Sequence, residues 1–264
     1  MRGFVKQFMF TEQVSLSSQQ QIKRCYKEAR IEMATNPINP FHQWIIKLDG
    51  KSIKTQKRNI LAVPSPQLAA YIAQEFNNQN QNMQFFSMPF LKFASHAVDL
   101  DFDASNRQML EMKFMFNLEN DLIMRGQLNS DKLPKTETQI ADSLLIKLSR
   151  KLNIQINSND DRYQEYLNQQ SKIKLESFIR GINNWQLVAL NSKIENLSSC
   201  ILGLYLQLGL INISSALALR KSLIEFRDLN RRSSQKENNE QILKTTLEAS
   251  QMFSESITTQ SIMY

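Results

Sequence analysis

Apolar and polar positions change period along this chain, and the changes mark its parts. From Trp44 the pattern alternates: Trp44, Ile46 and Leu48 are separated by polar or solvent-tolerant positions up to Asp49-Gly50. That dipeptide favours a type I′ turn, and Ser52 to Thr55 leads away from it, so the spacing predicts a β-hairpin. A second strand-like run, Ile60 to Val63, stops at Pro64, after which Ser65 can cap a helix and Pro66 can occupy its first turn. The period then becomes helical, with Leu68, Ala69, Ile72, Ala73 and Phe76 on one face and Gln67, Gln74 and Asn77 opposite. Hairpin, strand and amphipathic helix form one α+β unit.

Upstream, the Asn36-Pro37 and Asn39-Pro40 steps predict a loop delivering the chain to Trp44. Downstream, residues 77–84 are almost entirely Asn and Gln and are expected to be a solvated linker. Pro89 opens a further helix whose Phe90, Phe93, Ala94 and Ala97 recur at helical spacing, with His96 beside them as a packed or rim residue. Ser105 is a cap candidate for a long helix to about Arg125, with Met109, Met112, Met115, Phe116 and Leu122 inward. A domain boundary is expected at 127–133, before Pro134.

The second half reads as helix throughout. Ile140, Leu144, Leu145 and Leu148 mark one helix, a second falls between Tyr163 and Ile179 and ends at Gly181, and Trp185 starts a third. Leu197 to Leu208 is apolar on most sides apart from a stripe of Asn196, Ser199, Gly203 and Gln207. Such a helix belongs at the centre of a bundle, where a stripe of small residues lets a neighbouring backbone come close. Gly209 can end it and Asn212 can cap the next, with Ala216, Leu219, Leu223 and Phe226 inward. Ile242, Leu243, Leu247, Met252 and Phe253 suggest a terminal amphipathic helix, with a tail from Ser254.

Composition narrows the chemistry. With 264 residues, 42% of them hydrophobic, the chain can build a core in one or two domains. Six Gly and six Pro leave no Gly-rich phosphate loop. Cys25 and Cys200 belong to no C-x-x-C, and His42 and His96 have no second His at ligand spacing, so neither a disulfide scaffold nor a metal centre is expected. No apolar run is long enough to span a bilayer. No nucleophile, acid/base pair or nucleotide loop is visible, and no cofactor is called for. The net charge of +7 comes from dispersed Lys and Arg without a recognition motif, which argues against nucleic acid as the partner. The first two dozen residues set Arg2, Lys6, Lys23 and Arg24 against Glu12 alone, among Phe4, Val5, Phe8 and Phe10. That pattern suits a mitochondrial transit peptide.

Several of these residues also form an ordered set. It comprises Trp44, Leu48, Asp49, Gly50, Lys54 and Thr55; then Leu61, Val63, Pro64, Ser65, Leu68, Ala69, Ile72, Ala73, Glu75, Phe76 and Gln79; then Met88, Pro89, Ala97, Val98 and Asp99. In this order they resemble the assembly chaperones that bind the alpha subunit of the catalytic head of mitochondrial ATP synthase. Arg24, Tyr26 and Lys27 resemble the R-F-Y-K ahead of that family's first strand, with Cys25 in place of its aromatic residue. The run Asp121-Leu122-Ile123-Met124-Arg125 is similar to the one closing its N-terminal domain. Its W-D-P-L appears as Ala141-Asp142-Ser143-Leu144, and Trp185 to Leu190 resembles its W-x-L-x-A-L. Glu225 and Phe226 match its Glu-aromatic-Gln, whose Glu is implicated in alpha-subunit assembly, but Arg227 stands at the Gln position and the following Trp-Gly is replaced by residues 230–237.

The resemblance implies an α+β fold: a transit segment over 1–23, a mixed α/β domain over 24–130, a helical bundle over 131–253 and a tail over 254–264. It implies a non-enzymatic chaperone of the mitochondrial matrix, or the matrix side of the inner membrane, that shields the apolar interface of the unassembled alpha subunit until a beta subunit joins. Partner contact would fall at Glu225, Phe226 and Arg227. Trp44, Asp49, Gly50, Pro64, Glu75, Pro89, Asp99 and Asp121 would be structural motif residues. The departures at Arg227 and the Trp-Gly leave a second possibility, a protein of this fold kept as a permanent subunit of a mitochondrial membrane complex.

Overall fold

The computed structural model describes residues 22–35, 43–121, 123, 135–156, 167–231 and 240–258, with side chains left out at 135–142, 225–231 and 258. The predicted transit segment (apart from Ile22 and Lys23), the Asn-Pro loop with His42, and Leu122, Pro134 and Tyr163 lie outside these residues, as do the side chains of Ile140 and Asp142. The described chain is an α+β fold, a small antiparallel sheet followed by helices. The described residues fall into two compact units, those within 1–104 and 252–264 and those within 105–251.

In the first unit, strand β2 (Trp44–Leu48) is central. Strand β1 (Ala29–Met33) pairs along its full length on one side, antiparallel, with Ile31 opposite Ile46. The other side is shared by β3 (Lys51–Ser52) and β4 (Ala62–Val63), which meet opposite ends of β2. The hairpin follows from Asp49 and Gly50, at φ 46° and 81°. Positive φ at both central positions is what the type I′ turn requires. Beyond β4, Pro64 is buried and Ser65 caps helix α1 (Pro66–Asn77), its Oγ accepting from the Leu68 N–H at 3.1 Å. The helix buries the five apolar residues its period marked, Leu68, Ala69, Ile72, Ala73 and Phe76, and packs on β1, β2 and helix α2 (Pro89–Asp101). On α2, Phe93, Ala94 and Ala97 are buried, Phe90 is half-buried and His96 is exposed at the rim.

The Asn/Gln segment is exposed at Asn78, Asn80, Gln81 and Gln84, as its composition suggested, but it is also anchored through its amides. Gln79 is buried: its amide donates to the Glu75 carbonyl at 3.1 Å and accepts from the Gln84 N–H at 2.7 Å. The side-chain amide of Asn77 both accepts from the Ala29 N–H at 2.8 Å and donates to the Ala29 carbonyl at 3.1 Å. Arg24 donates to carbonyls of Asn77 and Gln79 at the end of α1, where a cation meets the negative end of the helix. Amide side chains replace missing backbone partners here, which is why a polar run is ordered.

The second unit begins with α3 (Ala104–Glu119) and continues through α4 (Lys135–Leu152), α5 (Gln169–Gly181), α6 (Asn184–Leu197), α7 (Cys200–Gln207) and α8 (Ile213–Arg231). Helix α9 (Glu240–Thr258) groups with this unit through Gln251 and with the first unit from Met252. The core gathers Phe114, Leu118, Leu148, Leu175, Leu190, Tyr205 and Leu247. The central apolar helix is present but shorter than expected. Ser198 takes a left-handed conformation and Ser199 caps a new start, so Asn196 belongs to α6 and the stripe of small residues is divided. Its key member nonetheless acts as the spacing implied: a Cβ on Gly203 would lie 2.5 Å from Cγ1 of Ile194. A Schellman motif closes α7, Leu210 N–H to the Tyr205 carbonyl at 2.9 Å and Gly209 N–H to that of Leu206 at 3.3 Å, with Gly209 at φ 67°. The expected tail is, through Thr258, still helix, with Ser254, Ser256 and Ile257 buried.

Candidate functional site

The acidic motif residues are all engaged, each in a different place. Both carboxylate oxygens of Asp49 accept from the Lys27 N–H, at 3.0 and 3.1 Å, and one also accepts from Glu28 at 3.0 Å, which pins the start of β1 and holds this exposed carboxyl below its ordinary pKa. Asp99 accepts from the Thr55 hydroxyl and from the Asn59 amide at 2.8 Å, tying α2 to the loop before β4. Glu75, on α1, accepts from Phe90 and Leu91 N–H groups at 2.8 Å each. Those are free donors in the first turn of α2, which has Pro89 in that turn and no side-chain cap from Met88. Burial pushes Glu75 up to about 8, against the downward pull of the two N–H groups.

Asp121 makes the corresponding clamp in the second unit. It accepts from the N–H groups of Ile123 at 2.8 Å and Ile201 at 3.2 Å and from the Ser199 hydroxyl at 2.9 Å, so it joins the end of α3 to the start of α7. Complete burial drives its pKa upward. Within the first unit Asp49, Glu75 and Asp99 each hold a different junction. Trp44 is half-buried beside Met33 and Val63. Cys200 is buried, donates toward the Phe114 carbonyl at 3.6 Å and has its pKa raised by desolvation, so its thiolate is suppressed. Among the described residues no cluster of three potential metal ligands occurs, and no helix is long and apolar enough to cross a membrane.

What the structure offers outward is apolar. Met109, Met112 and Phe116 were expected to face inward; instead they are 65%, 65% and 66% exposed and lie on one face of α3. The helix turns Phe114 and Leu118 into the core, with Leu110 and Met115 packed against it. The error has a physical source. Apolar residues occur on both faces at helical spacing, and the true inner side also carries Arg107 and Glu111, which resemble a solvent-facing pair. Arg107 instead donates to Glu111 at 2.9 Å and to the Ile182 carbonyl at 2.7 Å, bracing α3 against the loop between α5 and α6. The helix also begins at Ala104 and ends at Glu119, so Ser105 is not its cap.

Glu225, Phe226 and Arg227 fall on α8, but their side chains lie outside the described residues. Two buried cations on neighbouring helices were missed. Lys193 is fully buried and donates to Gln207 at 2.7 Å, and Arg220 donates to the Asn196 carbonyl at 2.7 Å. A signal for the first was present: Lys193 stands four residues from both Ala189 and Leu197, on the apolar face.

A sheet-and-helix unit followed by helices, with its motif acids engaged in internal clamps and an apolar stripe outward, has the character of a protein-binding scaffold. Residues 23–149 match the family described as ATP12 chaperone protein. A curated relative, the mitochondrial protein atp12 of Schizosaccharomyces pombe, is 22% identical over 192 residues, covering 69% of this chain and 66% of the relative. Atp12 from Paracoccus denitrificans shares the fold, with TM-score 0.69 at 18% identity over 89% of this chain and 98% of that one. The Atu1473 protein of Agrobacterium tumefaciens does so too, with TM-score 0.69 at 19% identity over 89% and 86% of the two chains.

Proposed function

We propose that this chain is a non-catalytic mitochondrial chaperone of ATP synthase assembly, acting in the matrix or on the matrix side of the inner membrane. It binds the unassembled alpha subunit of the catalytic head. The observation that carries the reading is the outward stripe of Met109, Met112 and Phe116. Contiguous exposed apolar surface on a folded protein marks an interaction site, and unbranched, polarisable methionine side chains adapt to varied partner shapes. An unassembled subunit exposes the flank it would bury against its neighbours. A cover burying roughly 1,600 Å² would keep that flank from aggregating until the beta subunit displaces it. Glu225, Phe226 and Arg227 on α8 are the second contact, taken from the family motif.

Coexpression with the alpha subunit tests this. Substituting Met109, Met112 and Phe116 by serine should leave the chaperone folded, since these side chains are largely in water, and should lower both capture and soluble yield of the alpha subunit. Glu225→Lys should weaken capture separately. Unchanged capture in both variants removes the assigned surface. Stoichiometric comigration of the protein with a large membrane complex, with no small free or alpha-bound pool on gradient fractionation, replaces the chaperone by the permanent-subunit alternative.

A further inference from the structure

Among the described residues strand β1 is an edge strand, and one stretch of it is open. The ladder register with β2 puts hydrogen bonds at Glu28 with Asp49 (3.1 Å) and Ala34 with Gln43 (2.6 Å). Antiparallel pairs alternate, so Arg30 and Glu32 also point their backbone groups at β2, and Ala29, Ile31 and Met33 point theirs away. At Ala29 both outward groups are taken by the Asn77 amide, which occupies the place of a neighbouring strand. The N–H and C=O of Ile31 and Met33 meet no partner among the described residues. Their side chains, 36% and 60% exposed, lie on the sheet face shared with buried Ala29 and Ile46. Arg30 and Glu32 lie on the opposite face, where they pair with Glu28 and Lys47.

We propose that the Ile31–Met33 edge accepts an extended segment of the client polypeptide as an added strand, with apolar side chains beside Ile31 and Met33 and a basic or neutral one beside Glu32. Backbone hydrogen bonds supply the affinity in this mode, and alternate side chains supply the selectivity. A second copy of this chain is the wrong occupant. Antiparallel self-pairing through the free groups sets Ile31 opposite Met33 and therefore Glu32 opposite Glu32, with like charges facing each other. Shifting the register one way brings in Ala29, which Asn77 already holds, and shifting it the other way sets Met33 opposite itself and needs Thr35, beyond the end of β1. The inference rests on the chaperone reading for the identity of the client, but the edge can be tested apart from it.

Proline at position 33 removes an outward N–H without touching the β1–β2 ladder, a substitution that edge strands tolerate. The full-length protein and its Met33→Pro and Met33→Thr variants are titrated with a fluorescent peptide of alternating valine and lysine. Met33→Thr keeps the donor and controls for loss of the side chain, and circular dichroism confirms that each variant is folded. Met33→Pro should weaken binding roughly five- to tenfold, as expected for one lost hydrogen bond and its blocked neighbour, with Met33→Thr closer to wild type. Equal binding by Met33→Pro and wild type, or no binding by wild type, overturns the edge. So does a concentration-dependent dimer that Met33→Pro abolishes.

Amide exchange of the complex with the alpha subunit provides the second readout. Slowed exchange at Ile31 and Met33 supports strand addition. A stable complex in which these amides exchange as in the free protein overturns strand addition and leaves the chaperone reading standing. Failure to form any complex overturns the chaperone reading, and the peptide titration then decides the edge by itself.

Discussion

Glu75 and Asp121 solve the same problem in the two units, and the contrast shows how each unit is held. Each is a buried carboxylate lent by one element to the start of another helix, α2 in the first unit and α7 in the second. Glu75 is the cap of α2, since Met88 provides none. Asp121 reinforces a helix that Ser199 already caps through the Leu202 N–H. Around Glu75 the unit is fastened by further polar clamps at Asp49, Asn77, Gln79 and Asp99. Around Asp121 the partners are apolar, Ile123, Cys200 and Ile201 among them, all nearly or fully out of water. Redundant polar clamps limit the cost of losing one; an isolated polar clamp in an apolar core has no substitute.

The most damaging change should therefore be Asp121→Ala. It strands the Ser199 hydroxyl and the Ile123 and Ile201 N–H groups without an acceptor in a site water does not reach, at a cost of about 3 kcal/mol. Urea unfolding of the full chain measures it. If Asp121→Ala costs no more than Asn77→Ala, the contrast between the units fails.

Next in size is Gly203→Ala. The new methyl would meet Cγ1 of Ile194 at 2.5 Å and the backbone nitrogen of Ile194 at 3.1 Å. The side-chain atom can rotate away but the backbone cannot, so α6 and α7 must separate slightly, at about 2 kcal/mol. In an Ile194→Ala background, which lacks Cγ1, Gly203→Ala should cost less than it does in the wild type. An equal cost in both backgrounds would place the conflict on the backbone alone.

The same contrast explains what the amino-acid sequence discloses. The first unit was legible because its determinants are local and specific in chemistry: Asp49-Gly50 requires a positive-φ turn, and Ser65-Pro66 marks a helix start. The second unit was legible in burial more than in boundaries. Leu197 to Leu208 is correctly central, yet the Ser198-Ser199 pair inside it is the break, where Ser198 adopts φ 53° and Ser199 caps α7, and burial pattern alone did not expose it. Helix α3 is the instructive failure, because periodicity identifies a stripe but not which of two stripes faces inward. The order of the Asn/Gln segment was hidden for a different reason: its partners, Ala29, Glu75 and Ser87, are supplied by other elements. Glu75 stood out only as a motif residue, since the α2 start it caps comes later in the chain.

The smallest effect at neutral pH, and the sharpest test of the contrast, belongs to Glu75→Gln. One carbonyl oxygen survives to accept from α2 while the new NH₂ group faces the second N–H, much as the hydroxyl of the protonated acid does, so the loss is no more than about 1 kcal/mol. The pH profile carries the information. The folded-state pKa of Glu75 is raised to about 8 from an ordinary 4.5, so the native state holds this proton more tightly than the unfolded chain does. Its contribution to stability is then complete below about pH 4.5 and is lost as pH rises through 8. Glutamine cannot titrate, so the wild type should lose stability relative to Glu75→Gln as pH rises toward 8 and beyond. Parallel unfolding midpoints for the two proteins across that range would mean that the two N–H groups of α2 hold Glu75 ionised throughout. Glu75 would then be a charged cap, and the difference between the units would lie in their neighbouring clamps alone.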